Sequence, residues 1–574
     1  MIAACALASC AHRGPAPAPP PASPQLWYWH HSLLNSPAEL QASVARIDQA
    51  YADGYTGVAF WDVSFAHLNS PAWPSGARDY LRQAMTYAQS KGMKVLALGA
   101  PYGYSNEVLH TNPNWAEGQR VIGSRFTVER DRRRLRFLSS FPGVANGGFE
   151  SGESNWIAKN RFGKGDPGVG VDPLTSHTGM LSGVIRNAPG NGRFHQTLTL
   201  IPWRQYHVRL WVKTEAYRGS APVLEIFDAG DQDKSRLYKY LNVSATQDWI
   251  RFDATFNSQD STSVHLYFGV WGGSAGTIWF DDVSLEETAL VYLLRRSGTP
   301  LQIYDPETKA VFHEGADVDP IRDPKLTGDF PDDFHDPPEV TLPADTSLRP
   351  GETVVIDFYA AQPVNGSQMN LCLTEPDAQA WAVENSRSIA AIAPPRTGFF
   401  LMYDEMRQMN SCALCRSMHL SAGELLARHV SQTVAMYQSL RPGADVYVWS
   451  DMFDPYANAH DHYFLVEGDL AGSWKGLPPS VMVMNWNLGH LKDSLEWFSG
   501  GSRKQPVPHR QIIAGYYDSH DGDAAATAEL RQARGIPGID GLMYTTWVPD
   551  DSQLKAFADA AKRHWAEYRS SVTR

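Results

Sequence analysis

The sequence predicts an α/β protein, a (β/α)8 barrel interrupted by an all-β insertion. Three observations carry this reading. Strand and helix patterns alternate from residue 26 to about 125 and again from about 366 onward, and such alternation argues for a parallel sheet. The two stretches together hold eight strand patterns, the number that closes a barrel. From about 141 to 365 helical spacing disappears, and short alternating strands with Gly, Asn and Asp turns replace it.

Residues 26–31 (LWYWHH) form a short aromatic strand. Ser36 then supplies an N-cap and Pro37 the first helical position. Leu40, Val44, Ile47 and Tyr51 recur at helical spacing until Gly54 closes the helix. A second strand spans 56–62, a second helix 77–90 stopped by Gly92, and a third strand 94–99. After the insertion a helix near 377–392 leads into 399–407 (FFLMYDEMR). Its apolar run, bounded by Pro394 and Pro395, reads as a buried fourth strand. Ser421 caps a helix whose apolar face is Leu425, Leu426, Val430, Val434 and Tyr437. Strands at 445–451, 481–487, 512–518 and 542–547 complete the eight, and a last helix runs over about 552–569. Residues 368–373 (QMNLCL) are a ninth strand candidate, which either displaces one of the eight or belongs to the insertion.

The expected division is 1–24, a signal remnant and Pro/Ala linker; 25–140, the first part of the barrel; 141–288, a β-sandwich; 289–365, a small β-rich region; and 366–574, the second part of the barrel. Hydrophobic content of 43% and charged content of 20% fit globular domains. A net charge of −12 argues against nucleic acid and anionic membrane surfaces as partners. The 18 Trp and 24 Tyr suit sugar rings, whose C–H faces are apolar and whose edges are polar; core packing is the competing use of each one. Leu7-Ala8-Ser9-Cys10 resembles a bacterial lipoprotein cleavage box, and the tether at 14–24 follows directly. Only nine residues precede Cys10 and none is basic, so the alternative is a chance match. The expectation is an exported periplasmic or outer-membrane lipoprotein with Cys10 lipidated and no transmembrane helix. Cys412 and Cys415 form a CxxC, expected to be a small disulfide in an exported protein. Zinc there would need two more ligands, with His419 and Cys372 the candidates.

In this register the C-terminal strand ends are aromatic and acidic. They offer Trp29, His30 and His31; Trp61 and Asp62; Tyr102; Asp404 and Glu405; Trp449 and Asp451; Asn485 and Trp486; Tyr516, Tyr517 and Asp518; and Tyr544 and Trp547. Barrel enzymes do their chemistry at that end. Carboxylates there are costly unless used or paired. Glycosidic cleavage needs a proton donor and a second group at the oxocarbenium-like centre.

Asp404-Glu405 at the fourth strand end, with Trp at later strand ends, resembles glycoside hydrolase family 20, the β-N-acetylhexosaminidases. The resemblance implies a TIM barrel with no catalytic cofactor. Glu405 would be the general acid/base, and Asp404 would orient the substrate's 2-acetamido group as nucleophile. Tyr516 or Tyr517 would bond the acetamido oxygen, and Trp449, Trp486 and Trp547 would wall the pocket. The family's Gly-Gly before Asp-Glu is replaced by Met402-Tyr403, and its Arg at the end of strand one by His30 and His31. A direct-displacement alternative uses Asp518 or Asp451 as nucleophile. The insertion resembles family 4 and 9 carbohydrate-binding modules with a galactose-binding-like jelly roll. It does so through NGGFE at 146–150, YHVRLWVKT at 206–214, QDWIRFDATF at 247–256 and GTIWFDDVSLEE at 276–287. That resemblance implies a structural calcium held by Glu150 with Asp281 or Asp282, and Trp156, Trp203 and Trp271 as sugar platforms. The competing class is a non-catalytic glycan-binding surface lipoprotein, favoured if Glu405 faces away from the mouth or is neutralised outside it by Arg407. A deacetylase would need a metal cluster, for which His460, Asp461 and His462 are candidates.

Overall fold

A computed structural model describes residues 19–573 except 132, 157–165, 233, 329–333, 366–367, 502–506 and 519. Cys10 and the start of the tether lie outside the described residues. Eight strands close a parallel barrel in chain order: Gln25–His31, Gly57–Trp61, Lys94–Pro101, Gly398–Met402, Val446–Trp449, Val481–Asn485, Gln511–Ile513 and Ile539–Tyr544. The last pairs with the first, Leu26 opposite Leu542. All eight expected strands are present. Both expected caps form. Ser36 accepts from Glu39 N, and Ser421 and Glu424 make a reciprocal capping box at the start of Ala422–Leu440. Residues 368–373 are not a barrel strand; their ladder pairing is limited to the isolated bridges Val364–Gln368 and Ala116–Leu371.

The insertion is a sandwich of two antiparallel sheets. One has five strands, ordered Gln247–Asn257, Gln205–Gly219, Ser274–Thr288, Ser182–Arg186, Val169–Asp172. The other has four, ordered Ser235–Tyr240, Val223–Asp228, Ser263–Val270, Gly192–Thr199. Their inner faces bury Phe194, Leu210, Ile226, Phe268 and Phe280. The β-rich region departs from the expected division. Gln119–Val128 and Arg134–Leu138, expected with the barrel, pair instead with Thr353–Ala360 and Val340–Thr341 in a six-stranded antiparallel sheet. Phe126, Leu135, Ile356 and Phe358 share its core, so burial of this alternating apolar face decides which sheet the strands join.

Behind the barrel, Tyr517 donates its hydroxyl to Glu529 on Gly522–Gln532 at 2.7 Å. Complete burial pushes the Glu529 carboxyl up to about 8. A carboxyl raised in the folded state favours folding when protonated, and that stability is lost as pH rises toward about 8. Glu529→Gln is therefore expected to flatten the fall of unfolding free energy between about pH 5 and 8, a slope on the order of 1 kcal/mol per pH unit in the parent. Parallel slopes for parent and variant would refute this.

Candidate active site at the barrel mouth

The fourth strand ends at Met402, and strand alternation decides which way each of the next side chains faces. Met402 and Asp404 face the mouth cavity. Tyr403 between them points outward, its hydroxyl bonded to His429 Nδ1 at 2.7 Å and to Thr433 at 2.9 Å. Glu405 has φ +47°, a left-handed conformation uncommon for a residue with a Cβ. The turn is braced from two sides. Glu405 N–H donates to Asp451 Oδ2 at 2.8 Å, and Gln368 Nε2 donates to the Glu405 carbonyl at 2.9 Å and to the Gly103 carbonyl at 2.8 Å. The 368–373 segment is thus a bracket between the third and fourth strand ends. Gly103 is required there: a Cβ on it would lie 1.7 Å from the Asp404 carbonyl oxygen.

The cavity has a volume of about 480 Å³ and is lined by Trp61, Tyr104, Met402, Asp404, Glu405, Trp449, Trp486, Tyr516 and Trp547. Trp29 packs beneath, its ring 5.2 Å from Trp449 and 5.7 Å from Trp547. Trp449 is buried in the floor, whereas Tyr104, Tyr516 and Trp547 are exposed at the rim.

The two carboxyl groups differ in environment. Asp404 is 4% exposed, and its Oδ1 has no hydrogen-bond partner among the described residues. Burial first, then Asp451 and Glu405, hold its carboxyl well above the usual carboxylate range. Glu405 sits closer to the opening. Arg407 Nη2 meets Glu405 Oε1 at 2.8 Å, and the Tyr104 hydroxyl donates to Oε2. Arg407 is itself buried, bonded to Tyr104 at 3.2 Å and to Gln368. Glu405 thus lines the cavity, and Arg407 meets it from a buried position. Asp451 is pushed up to about 6 by burial, while accepting from Asn458 at 2.8 Å and Trp486 Nε1 at 3.2 Å. Its bonds place it as the support under Glu405 and Trp486.

Several expected site residues lie elsewhere. His30 points into the barrel wall, Nε2 2.6 Å from Ser43 Oγ, and burial lowers its pKa to about 3. Asp62 accepts from Ser32, Leu34 N and Ser64 N and so caps a turn. Tyr102 stacks on Tyr403 outside the mouth at 4.9 Å. Tyr517 faces Glu529. Asp518 Oδ1 accepts from Trp547 N at 2.8 Å and ties down the last loop. Of the tyrosines considered for the acetamido oxygen, Tyr516 lines the cavity. Tyr104 lines it too, in place of the expected Tyr102. The third strand continues to Pro101, and that longer strand sets which tyrosine enters.

In the sandwich, Trp156 is a core residue stacked on Phe149. Trp203 stacks under the Arg120 guanidinium at 3.7 Å, and the Arg193 guanidinium lies 5.4 Å from the Trp271 ring. Glu150 Oε1 accepts from Met180 N and Leu181 N. Asp281 and Asp282 receive His177 and Thr178. The His460–His462 loop docks on the sandwich, with His462 Nδ1 2.7 Å from Asp231. Cys412 and Cys415 are free thiols, not the expected disulfide.

Fold and site together define a closed parallel barrel with an aromatic-walled, acidic mouth and an antiparallel sandwich inserted in the chain. No family model matches the chain, and no curated protein matches it. Solved structures match over about a quarter of its length. One titled "CBM4 structure and function" is 22% identical, with a TM-score of 0.21, over 25% of this chain and 99% of that one. The CBM22-1 xylan-binding domain from Paenibacillus barcinonensis is 18% identical, with a TM-score of 0.20, over 26% and 97%. A cyclase from Fischerella sp. TAU is 14% identical, with a TM-score of 0.21, over 26% and 97%.

Proposed function

We propose that the protein is an exported glycoside hydrolase that cleaves a poly- or oligosaccharide with Asp404 and Glu405 as its working carboxyl pair. The observation that carries this reading is the cavity itself: two carboxyl groups of unlike environment inside a Trp- and Tyr-walled pocket at the C-terminal strand ends. A volume of about 480 Å³ suits a monosaccharide unit with its substituents. Glu405 stands nearer the opening, where a leaving group would depart, so it is the acid/base. Tyr104 and Arg407 fix its two oxygens. Asp404 lies deep in the cavity lining, and its buried Oδ1 has no hydrogen-bond partner among the described residues. That atom suits an N–H donor such as a 2-acetamido group, with Trp449, Trp486 and Trp547 around the methyl and Tyr516 near the oxygen. Asp518 and Asp451 are engaged in holding backbone, which disfavours direct displacement by either.

One observation favours a second reading. The Glu405 carboxylate is paired with Arg407 Nη2 at 2.8 Å, an ion pair that also suits a site that only binds glycan. A panel of aryl β-glycosides with and without the 2-acetamido group tests both. Cleavage of the acetamido set is expected. Cleavage of plain glycosides alone would sink substrate assistance, and sugar binding with no turnover of any substrate would establish the second reading.

A further inference from the structure

Four buried side chains converge from three stretches of chain. Cys412 is the N-cap of the short helix Ala413–Ser417, and Cys415 lies within it. Cys372 comes from the 368–373 bracket, and Glu117 follows the loop after the third strand. One ligand-type atom from each lies within 4.8 Å of all the others, and all four residues are buried.

We propose that Glu117, Cys372, Cys412 and Cys415 form a closed structural site for a zinc ion. The spacings carry the assignment. Cys372 Sγ lies 3.6 Å from Cys412 Sγ and 3.7 Å from Cys415 Sγ. Tetrahedral zinc with ordinary Zn–S lengths sets sulfur atoms about 3.8 Å apart. Cys415 Sγ lies 3.6 Å from Glu117 Oε2, and the same geometry sets a sulfur and a carboxylate oxygen about 3.5 Å apart. A disulfide needs sulfurs about 2.05 Å apart, so these separations fit a shared ion and not a bond.

The surroundings fit as well. Glu117 Oε1 accepts from Ser411 N at 2.9 Å, Ser411 Oγ at 2.9 Å and Cys412 N at 2.7 Å. That fixes the carboxylate and turns Oε2 toward the thiols, the outer support metal ligands ordinarily have. Arg296 Nη1 lies 3.9 Å from Cys412 Sγ and 3.0 Å from Glu375. Its charge offsets part of the excess negative charge of three thiolates and a carboxylate around a divalent ion. Three soft sulfurs and one oxygen select zinc over calcium or magnesium. Four protein ligands leave no open position, which marks a structural ion. The ion would tie the chain just after Arg407 to the bracket and to the third-strand loop, and so hold the support of the Glu405 turn. This inference stands whether or not the mouth is hydrolytic.

The test is metal analysis of the purified full-length chain, expressed with zinc and without chelator. One equivalent of zinc per chain is expected, released by a mercurial as the thiols react. After exchange, cobalt(II) is expected to show the intense visible bands of a tetrahedral thiolate complex. Cys412→Ser is expected to lose the metal. Because that variant can also fail to fold, Glu117→Gln is the second probe. It is expected to stay folded by circular dichroism and to lose zinc to a competing chelator at least about tenfold more readily. A metal-free parent with three alkylatable thiols at 372, 412 and 415, or with a disulfide between two of them, would overturn the proposal. So would zinc held equally by Glu117→Gln and the parent.

Discussion

Replacing Glu405 by Gln is expected to lower kcat/KM by about a hundred- to ten-thousandfold, the usual contribution of a positioned acid/base, with sugar affinity changed little. Gln keeps the size of the side chain and a hydrogen-bond acceptor for Tyr104, so the turn braced by Asp451 and Gln368 should survive. What is lost is the exchangeable proton and the charge facing Arg407. The check is steady-state kinetics beside a calorimetric titration of a product sugar. Equal loss of binding and turnover would point to damage to the pocket.

The second large effect belongs to Asp404. Asp404→Asn is expected to cost about a hundredfold in kcat/KM on acetamido substrates, the scale of a lost positioning contact at the reacting centre. It should also change the pH profile. Burial and two neighbouring carboxylates hold the Asp404 carboxyl above its ordinary range, so the parent should gain activity as pH rises through that raised value and the acceptor forms. Asn has no such step, and its profile should lose that acid limb. Stability moves the opposite way. A raised carboxyl contributes stability while protonated and loses it as pH rises, so Asp404→Asn should melt higher than the parent in alkaline buffer. A parent profile without the limb, or a variant that retains it, would contradict the assigned role.

The barrel strands were legible because each is an apolar run with turn residues at its ends, and burial on both faces leaves that trace in sequence. Facing was harder to read. Neighbours on a strand cannot both enter the mouth, so Trp29 and His30 divide between axis and wall, as do Tyr516 and Tyr517. Asp404 and Glu405 escape that rule because the positive φ at Glu405 turns the chain back into the cavity, and nothing in a single residue type announces such a turn. Gly103 is visible as a glycine, but its reason is contact with Asp404 some 300 positions away along the chain. The sheet chosen by Gln119–Val128 depends on partners beyond the insertion. The thiol cluster was half visible: the CxxC stands out locally, while Glu117 joins it only through the closed fold.

The role proposed for Glu405 is to protonate a departing glycosidic oxygen inside this aromatic cavity. Leaving-group dependence in Glu405→Gln tests it most directly. Aryl glycosides whose phenol is acidic need no proton on departure, whereas those with a poor leaving group do. The variant is expected to keep most of the parent rate on a dinitrophenyl glycoside and to lose at least about a hundredfold on the unsubstituted phenyl glycoside. The same fractional loss on both, or no loss on either, would contradict it.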